Sequence, residues 1–162
     1  MDRQFSHRGD RPALAELVAK RAAEATNGHA RAGRHALLLM AHGSPDDRAN
    51  ASFRAIATRL AATGQYAAVA ASFMELNEPS IPQAVDQLVM EGMQQITAVP
   101  FFLQLGGHVA EDLPQITGAA HAKHPDVTIK LAGYLGYDPL LARVIADRVR
   151  EACEQASCPK RP

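Results

Sequence analysis

Four short apolar runs, separated by longer stretches of helical periodicity, constrain this chain more than any other feature of its 162 residues. They are "HALLLMA" (35–41), "AAVAASF" (67–73), "QITAVPFFL" (95–103) and "VTIKLAG" (127–133). Each is nearly continuous rather than alternating, as strands covered on both faces require. Residues 46–63, 79–92 and 106–123 lie between the runs and 138–154 follow them, all with apolar residues at helical spacing behind a cap or breaker. Gly64 and Gly92 stand where two of these helices should end. Crossovers of that length join parallel strands in a right-handed sense. The expected fold is therefore α/β: a three-layer sandwich on a four-stranded parallel sheet of order 2-1-3-4. That order opens a crevice between the carboxyl ends of the first and third strands.

Ahead of the first strand, Asp10-Arg11-Pro12 reads as an N-cap with proline in the first turn. Leu14, Leu17, Val18, Ala22 and Ala25 then recur at helical spacing until Asn27-Gly28. Residues 1–34 are thus expected to be a helical extension and linker, 35–156 the α/β domain, and 157–162 a tail. The extension can dock on the domain, form a dimer arm or cover the cleft. His7, His29 and His35, in or beside the small polar linker, are expected to be solvated.

Composition removes several function classes. The chain has 17 basic and 17 acidic residues, scattered, with no basic block interleaved with aromatics, so nucleic acid is not an expected partner. No apolar run approaches the roughly 18 residues of a membrane span, and the polar N-terminus does not resemble a signal peptide; a cytoplasmic protein is expected. Cys153 and Cys158 form no C-x-x-C pair, which argues against a disulfide scaffold or zinc knuckle. They read as a half-buried thiol on the last helix and a loose one on the tail.

The chemistry is expected at the carboxyl ends of the strands. "MAHGSPD" places His42, Gly43 and Ser44 directly after the first run, and "PFFLQLGGHVAEDLP" places Gly106, Gly107 and His108 after the third, the glycines allowing a tight turn. His42 and His108 are distant in sequence, but adjacent parallel strands lie about 4.8 Å apart, so their loops can converge. Neutral imidazole binds divalent iron, cobalt and nickel, and it accepts a proton near neutral pH. Glu75, after the second run, can deliver a hydrated metal or take up a proton at the same edge. Glu111 and Asp112, one turn beyond His108, can orient it. Backbone N–H groups after Gly43-Ser44, at 77–80 and after Gly106-Gly107 suit an anionic ligand, as do Arg48 and Arg54. Phe73, Phe101, Phe102, Leu103 and Leu105 are candidate apolar walls. His121 and His124 are read as not forming an accessory metal pair.

The blocks "LLLMAHGSPDD", "FMELNEPSIPQAV", "ITAVPFFLQLGGHVAEDLPQI" and "LAGYLGYDPLLARVIADRV", in that order, resemble the small class II tetrapyrrole chelatases, the sirohydrochlorin cobaltochelatase and ferrochelatase family. The likeness runs from about Leu37 to Val149 and omits the N-terminal helix. It implies a half-chelatase domain inserting Co²⁺, Fe²⁺ or Ni²⁺ into sirohydrochlorin without nucleotide hydrolysis, towards cobalamin, sirohaem or a related tetrapyrrole. It implies His42 and His108 as catalytic and metal-handling residues, with Glu75 added as a candidate metal ligand. Gly43, Ser44, Phe102, Gly106 and Gly107 are the expected substrate contacts. No tightly bound cofactor is implied, the metal being a substrate, and the short form implies a homodimer with the cleft between two copies.

Two enzyme alternatives fail on motif. An α/β-hydrolase needs a G-x-S-x-G elbow, which is missing, and a histidine phosphatase needs arginine where Ala41 stands. A non-catalytic metal or tetrapyrrole carrier using the same two histidines stays open, because ligand and base are the same side chains.

Overall fold

Leu37, Leu38, Leu39 and Met40 are completely buried, because the strand that holds them, β1 (His35–Ala41), has a neighbour on each edge and a helical layer on each face. The computed structural model describes residues 12–27 and 34–157. In chain order it comprises α1 (Pro12–Thr26), β1, α2 (Asp47–Ala61), β2 (Ala68–Phe73), α3 (Ile81–Met90) and β3 (Gln95–Pro100). A single π-helical turn (His108–Asp112) then runs into α4 (Leu113–Lys123), followed by β4 (Thr128–Leu131) and α5 (Pro139–Ser157). The strands are parallel in the order β2-β1-β3-β4, as the crossover argument requires. Among the described residues no helix is long and apolar enough to cross a membrane.

The pleat of β1 divides the core. Leu37 and Leu39 face a cluster with Phe53, Ala57 and Leu60 of α2 and with Leu17 and Val18 of α1. Ala36, Leu38 and Met40 face the opposite cluster, with Ile81, Val85 and Leu88 of α3 and Leu113 of α4. A fully buried leucine contributes about 1.5–3 kcal/mol over an exposed one, so both faces hold the strand in place. The breakers act as expected: Gly64 and Gly92, past α2 and α3, have φ of +67° and +85°. Ser80 and Gln83 form a reciprocal capping box at the start of α3. Lys123 and His124 both reach Asp86, at 2.6 and 2.7 Å, joining α4 to α3. These hydrogen bonds, Lys123's first, hold the Asp86 carboxyl below the ordinary carboxylate range.

The N-terminal helix docks on the domain. Leu17 and Val18 are wholly buried, and α1 packs against α2, α5, β3 and β4. In that position it covers part of the sheet, and α5 makes its main helix contact with α1.

Two sequence expectations require correction. His35 is not solvated: it is 2% exposed, with Nε2 2.8 Å from the Thr97 hydroxyl and its ring edge-on to Tyr66. It opens β1 rather than closing the linker. Cys153 is exposed rather than half-buried. His7, His29, Asp10, Arg11 and Cys158 lie outside the described residues.

Burial lowers the pKa of His35, and its Nδ1 is buried with no hydrogen-bond partner among the described residues. A protonated ring would need acceptors for two N–H groups, so the folded state resists the second proton. The unfolded chain takes it up near the ordinary value of about 6.5. Stability is therefore full above that pH and is lost as the pH falls from there through the lower folded pKa. Urea midpoints measured at about pH 7.5 and about pH 5.5 should show this loss, and His35→Gln should flatten it.

Candidate active site

The loop after β1 is held by a close approach that only glycine permits. Pairing with the second strand continues beyond β2: Met74 N donates to Ala41 O at 2.9 Å and Glu75 N to His42 O at 3.0 Å. Gly43 has φ +101°, and a Cβ there would stand 2.2 Å from Glu75 O. The next residue is fixed by amides, with Ser44 N donating to Asn77 Oδ1 and the buried Asn50 Nδ2 donating to Ser44 O, both at 2.8 Å. This lattice sets His42 beside Glu75, Nε2 to Oε2 3.8 Å. At that separation the two are not hydrogen-bonded, and they attract only when the ring carries a second proton.

His108 comes from the other side of the crevice. It opens the π turn, in which Leu113 N donates to His108 O across five residues. Such turns interrupt α-helices where a side chain must be re-aimed, often at functional sites. The imidazole Nδ1 lies 2.7 Å from Asp112 Oδ2. A carboxylate can only accept, so Nδ1 carries the proton and, in the neutral ring, Nε2 holds the lone pair. In His42, Nδ1 lies 3.3 Å from Gly43 O, and the same reasoning leaves Nε2 as its lone-pair nitrogen.

The two rings meet with centroids 5.2 Å apart and planes at 61°. His42, Glu75, His108 and Asp112 have side chains between 42% and 56% exposed, open enough for an ion or proton to arrive from water. Among the described residues no three His, Cys, Asp or Glu side chains converge as a metal cluster. The site is an imidazole pair flanked by two carboxylates, able to accept protons and to bind a divalent ion through few ligands.

Other candidate residues are placed differently from the sequence expectation. Gly107 is ordinary right-handed helical backbone, and a Cβ on Gly106 or Gly107 would meet nothing within 4 Å, so no tight turn requires these glycines. They leave the rim before His108 uncluttered. The Ser44 N–H and hydroxyl are engaged internally, by Asn77 and by Asp46 N. The α2 N-terminus is capped by Asp46, whose carboxyl Arg48 holds below the ordinary range. Arg54 donates to Glu78 O and lies over the Phe73 ring. Phe73 and Phe101 belong to the α1/α2 core, and Phe102 packs part-buried on the opposite one. Leu103 and Leu105 are exposed after β3. Leu76 and Tyr137, exposed after β2 and β4, were not candidates; lone apolar residues among turn formers carry little sequence signal. The pairing of Asn50 with Ser44 was also missed, since an asparagine in the first turn of a helix has no distinctive pattern. His121 Nδ1 bonds Val127 O while His124 bonds Asp86, so those rings anchor separate elements.

A parallel 2-1-3-4 sheet with two imidazoles facing each other at its carboxyl edge defines an α/β protein with a paired-histidine site. Comparison with known proteins narrows this. The CbiX family model matches residues 36–152, which include both histidines. A sirohydrochlorin cobaltochelatase of Methanopyrus kandleri is 31% identical over 137 residues, covering 72% of this chain and 96% of its own. Another, from Methanococcus aeolicus, is 37% identical over 83 residues, 51% of this chain; the match spans 58% of that protein's length. In structure, the sirohydrochlorin chelatase SirB from Bacillus subtilis subspecies spizizenii, solved with cobalt, superposes with TM-score 0.69 at 25% identity, over 73% of this chain and 50% of that one. The chain belongs to the CbiX family.

The close approach at Gly43 makes a direct prediction. Gly43→Ala combines an unfavourable φ with a clash against Glu75 O. It should destabilise the fold by about 1–3 kcal/mol, read as a lower urea midpoint.

Proposed function

We propose that this chain is a sirohydrochlorin chelatase, inserting Co²⁺, Fe²⁺ or Ni²⁺ into the macrocycle on a route to cobalamin, sirohaem or a related tetrapyrrole, without nucleotide hydrolysis. The observation that carries the reading is the facing pair, His42 and His108, 5.2 Å apart at the sheet edge. The M. kandleri relative's name and the cobalt-bound SirB support the substrate and the metal class.

Charge balance gives each residue its part. Insertion breaks two pyrrole N–H bonds and forms metal–nitrogen bonds to the ring, so two protons leave as a dication enters. The Nε2 lone pairs of His42 and His108 serve as proton acceptors and as passing ligands for the metal. Glu75, 3.8 Å from His42, attracts the hydrated ion and helps neutralise protonated imidazole. Asp112 holds His108 with Nε2 free. Gly106 and Gly107 keep the rim low where the macrocycle lies, with Phe102, Leu103 and Leu105 behind it, and Gly43 lets the loop beneath the macrocycle close on the Glu75 carbonyl. Ser44 acts through the loop that its amides fix. The protein keeps no tightly bound cofactor and works in the cytoplasm.

A carrier is the rival reading, and the ligand set disfavours it. Tight storage calls for a closed set of three or four donors, whereas two half-exposed imidazoles and a distant carboxylate suit transfer. One sheet edge also lines only one side of a planar macrocycle. A second copy supplies the other side, and sedimentation should give the mass of a homodimer.

Anaerobic absorbance assays with sirohydrochlorin and each metal test the activity. The wild type should turn over repeatedly. His42→Ala and His108→Ala should each lower kcat/KM by about 100-fold or more, and Asp112→Ala by about 10–100-fold. Binding without repeated turnover would establish the carrier instead.

A further inference from the structure

The sequence model of the family begins at residue 36, so α1 lies outside it, yet α1 makes directed polar contacts with a loop at the site's edge. Arg21 Nε donates to Tyr134 O at 3.0 Å and Leu135 O at 3.2 Å, and Nη2 donates to Leu135 O at 2.7 Å. The same Nη2 lies 3.4 Å from Asp138 Oδ2, and Lys20 Nζ reaches that oxygen at 2.6 Å. Arg21 and Asp138 have only 14% and 4% of their side chains exposed. Asp138 also starts α5, its Oδ1 accepting from Leu140 N. The Lys20 and Leu140 hydrogen bonds hold its carboxyl below the ordinary range, so Asp138 stays charged at neutral pH.

What these contacts hold is the segment after β4, residues 133–138. Leu135 is 1% exposed and anchors it in the core shared with α1. Gly136 N points at Phe102 O, at 3.4 Å, so the segment lies against the loop that leads from β3 to His108. At its tip Tyr137 is 95% exposed, although the backbone on both sides is pinned. A guanidinium bridging two carbonyls and a carboxylate is a rigid fixture, which a flexible loop with an outward tyrosine does not otherwise need.

We infer that α1 is a clamp that holds the 133–138 loop in place so that Tyr137 forms one wall of the tetrapyrrole site, with Arg21 as a positioning residue. This rests on the chelatase reading for the identity of the ligand. A flat conjugated macrocycle stacks well on a phenol ring whose backbone is already ordered, because little entropy is lost on binding.

The test uses the full chain and two readouts. Hydrogen exchange without ligand reports the clamp: Arg21→Ala should speed exchange of amides 134–138 by about tenfold or more while β1 and β3 stay protected. Sirohydrochlorin binding without metal, followed by quenching of its fluorescence, reports the wall. Arg21→Ala and Tyr137→Ala should each raise Kd about three- to tenfold. Tyr137→Ala should do so with loop exchange unchanged, and Arg21→Lys should be intermediate in both. Tyr137 is exposed, so its variant stays informative even if Arg21→Ala unfolds. Unchanged loop exchange in a folded Arg21→Ala, or an unchanged Kd in Tyr137→Ala, overturns the inference. Wild-type protein that does not bind sirohydrochlorin overturns the chelatase reading and the wall with it, while the exchange result still decides the clamp.

Discussion

The site depends on the confinement of β1. Paired along both edges and buried on both faces, this strand cannot shift without opening two core clusters and two ladders. His42 is the first residue released from it, and hydrogen bonds to the second strand continue through His42 itself. The imidazole therefore stands on a fixed post. Gly43 enforces the arrangement, because the Glu75 carbonyl fills the space where any other residue would carry its Cβ.

The facing histidine is placed by a different device. Residues 103–107, between β3 and His108, are exposed, and His108 is fixed by the π turn and the His108–Asp112 hydrogen bond. One imidazole is thus held by sheet and backbone, the other by a helix start and a carboxylate. Both end with Nδ1 as donor and Nε2 as lone pair, which makes them chemically alike but mechanically unlike.

The layers were legible because a doubly covered parallel strand writes a continuous apolar run, and β1 to β4 each fall within one. The convergence of His42 and His108 followed from strand order, since both leave the carboxyl ends of adjacent strands. What escaped was set by tertiary contacts that leave no periodic trace. His35 looks like a linker residue until Thr97 and Tyr66 enclose it. Gly106-Gly107 looks like an obligatory turn, yet Gly107 is ordinary helical backbone and neither glycine takes a positive φ. The α1 pattern shows an apolar face, but nothing in it says that Arg21 meets carbonyls more than a hundred residues away.

The proposed chemistry also accounts for the sparse ligand set. A protein that passes a dication to four ring nitrogens must bind it more weakly than the product does, and must not surround it. Two imidazoles with ring centroids 5.2 Å apart could hold an ion from one side only, and the flanking carboxylates would add field rather than a closed shell. A third converging ligand would deepen the bound state without helping the ring, lowering the rate of release. The carboxylates have a second effect of the same sign. In the proposed reaction an imidazole that takes a proton from the macrocycle would cease to be a ligand, and the flanking Glu75 and Asp112 would stabilise that protonated form. In the proposed reaction, proton uptake and metal release would thus be coupled through the same nitrogen atoms.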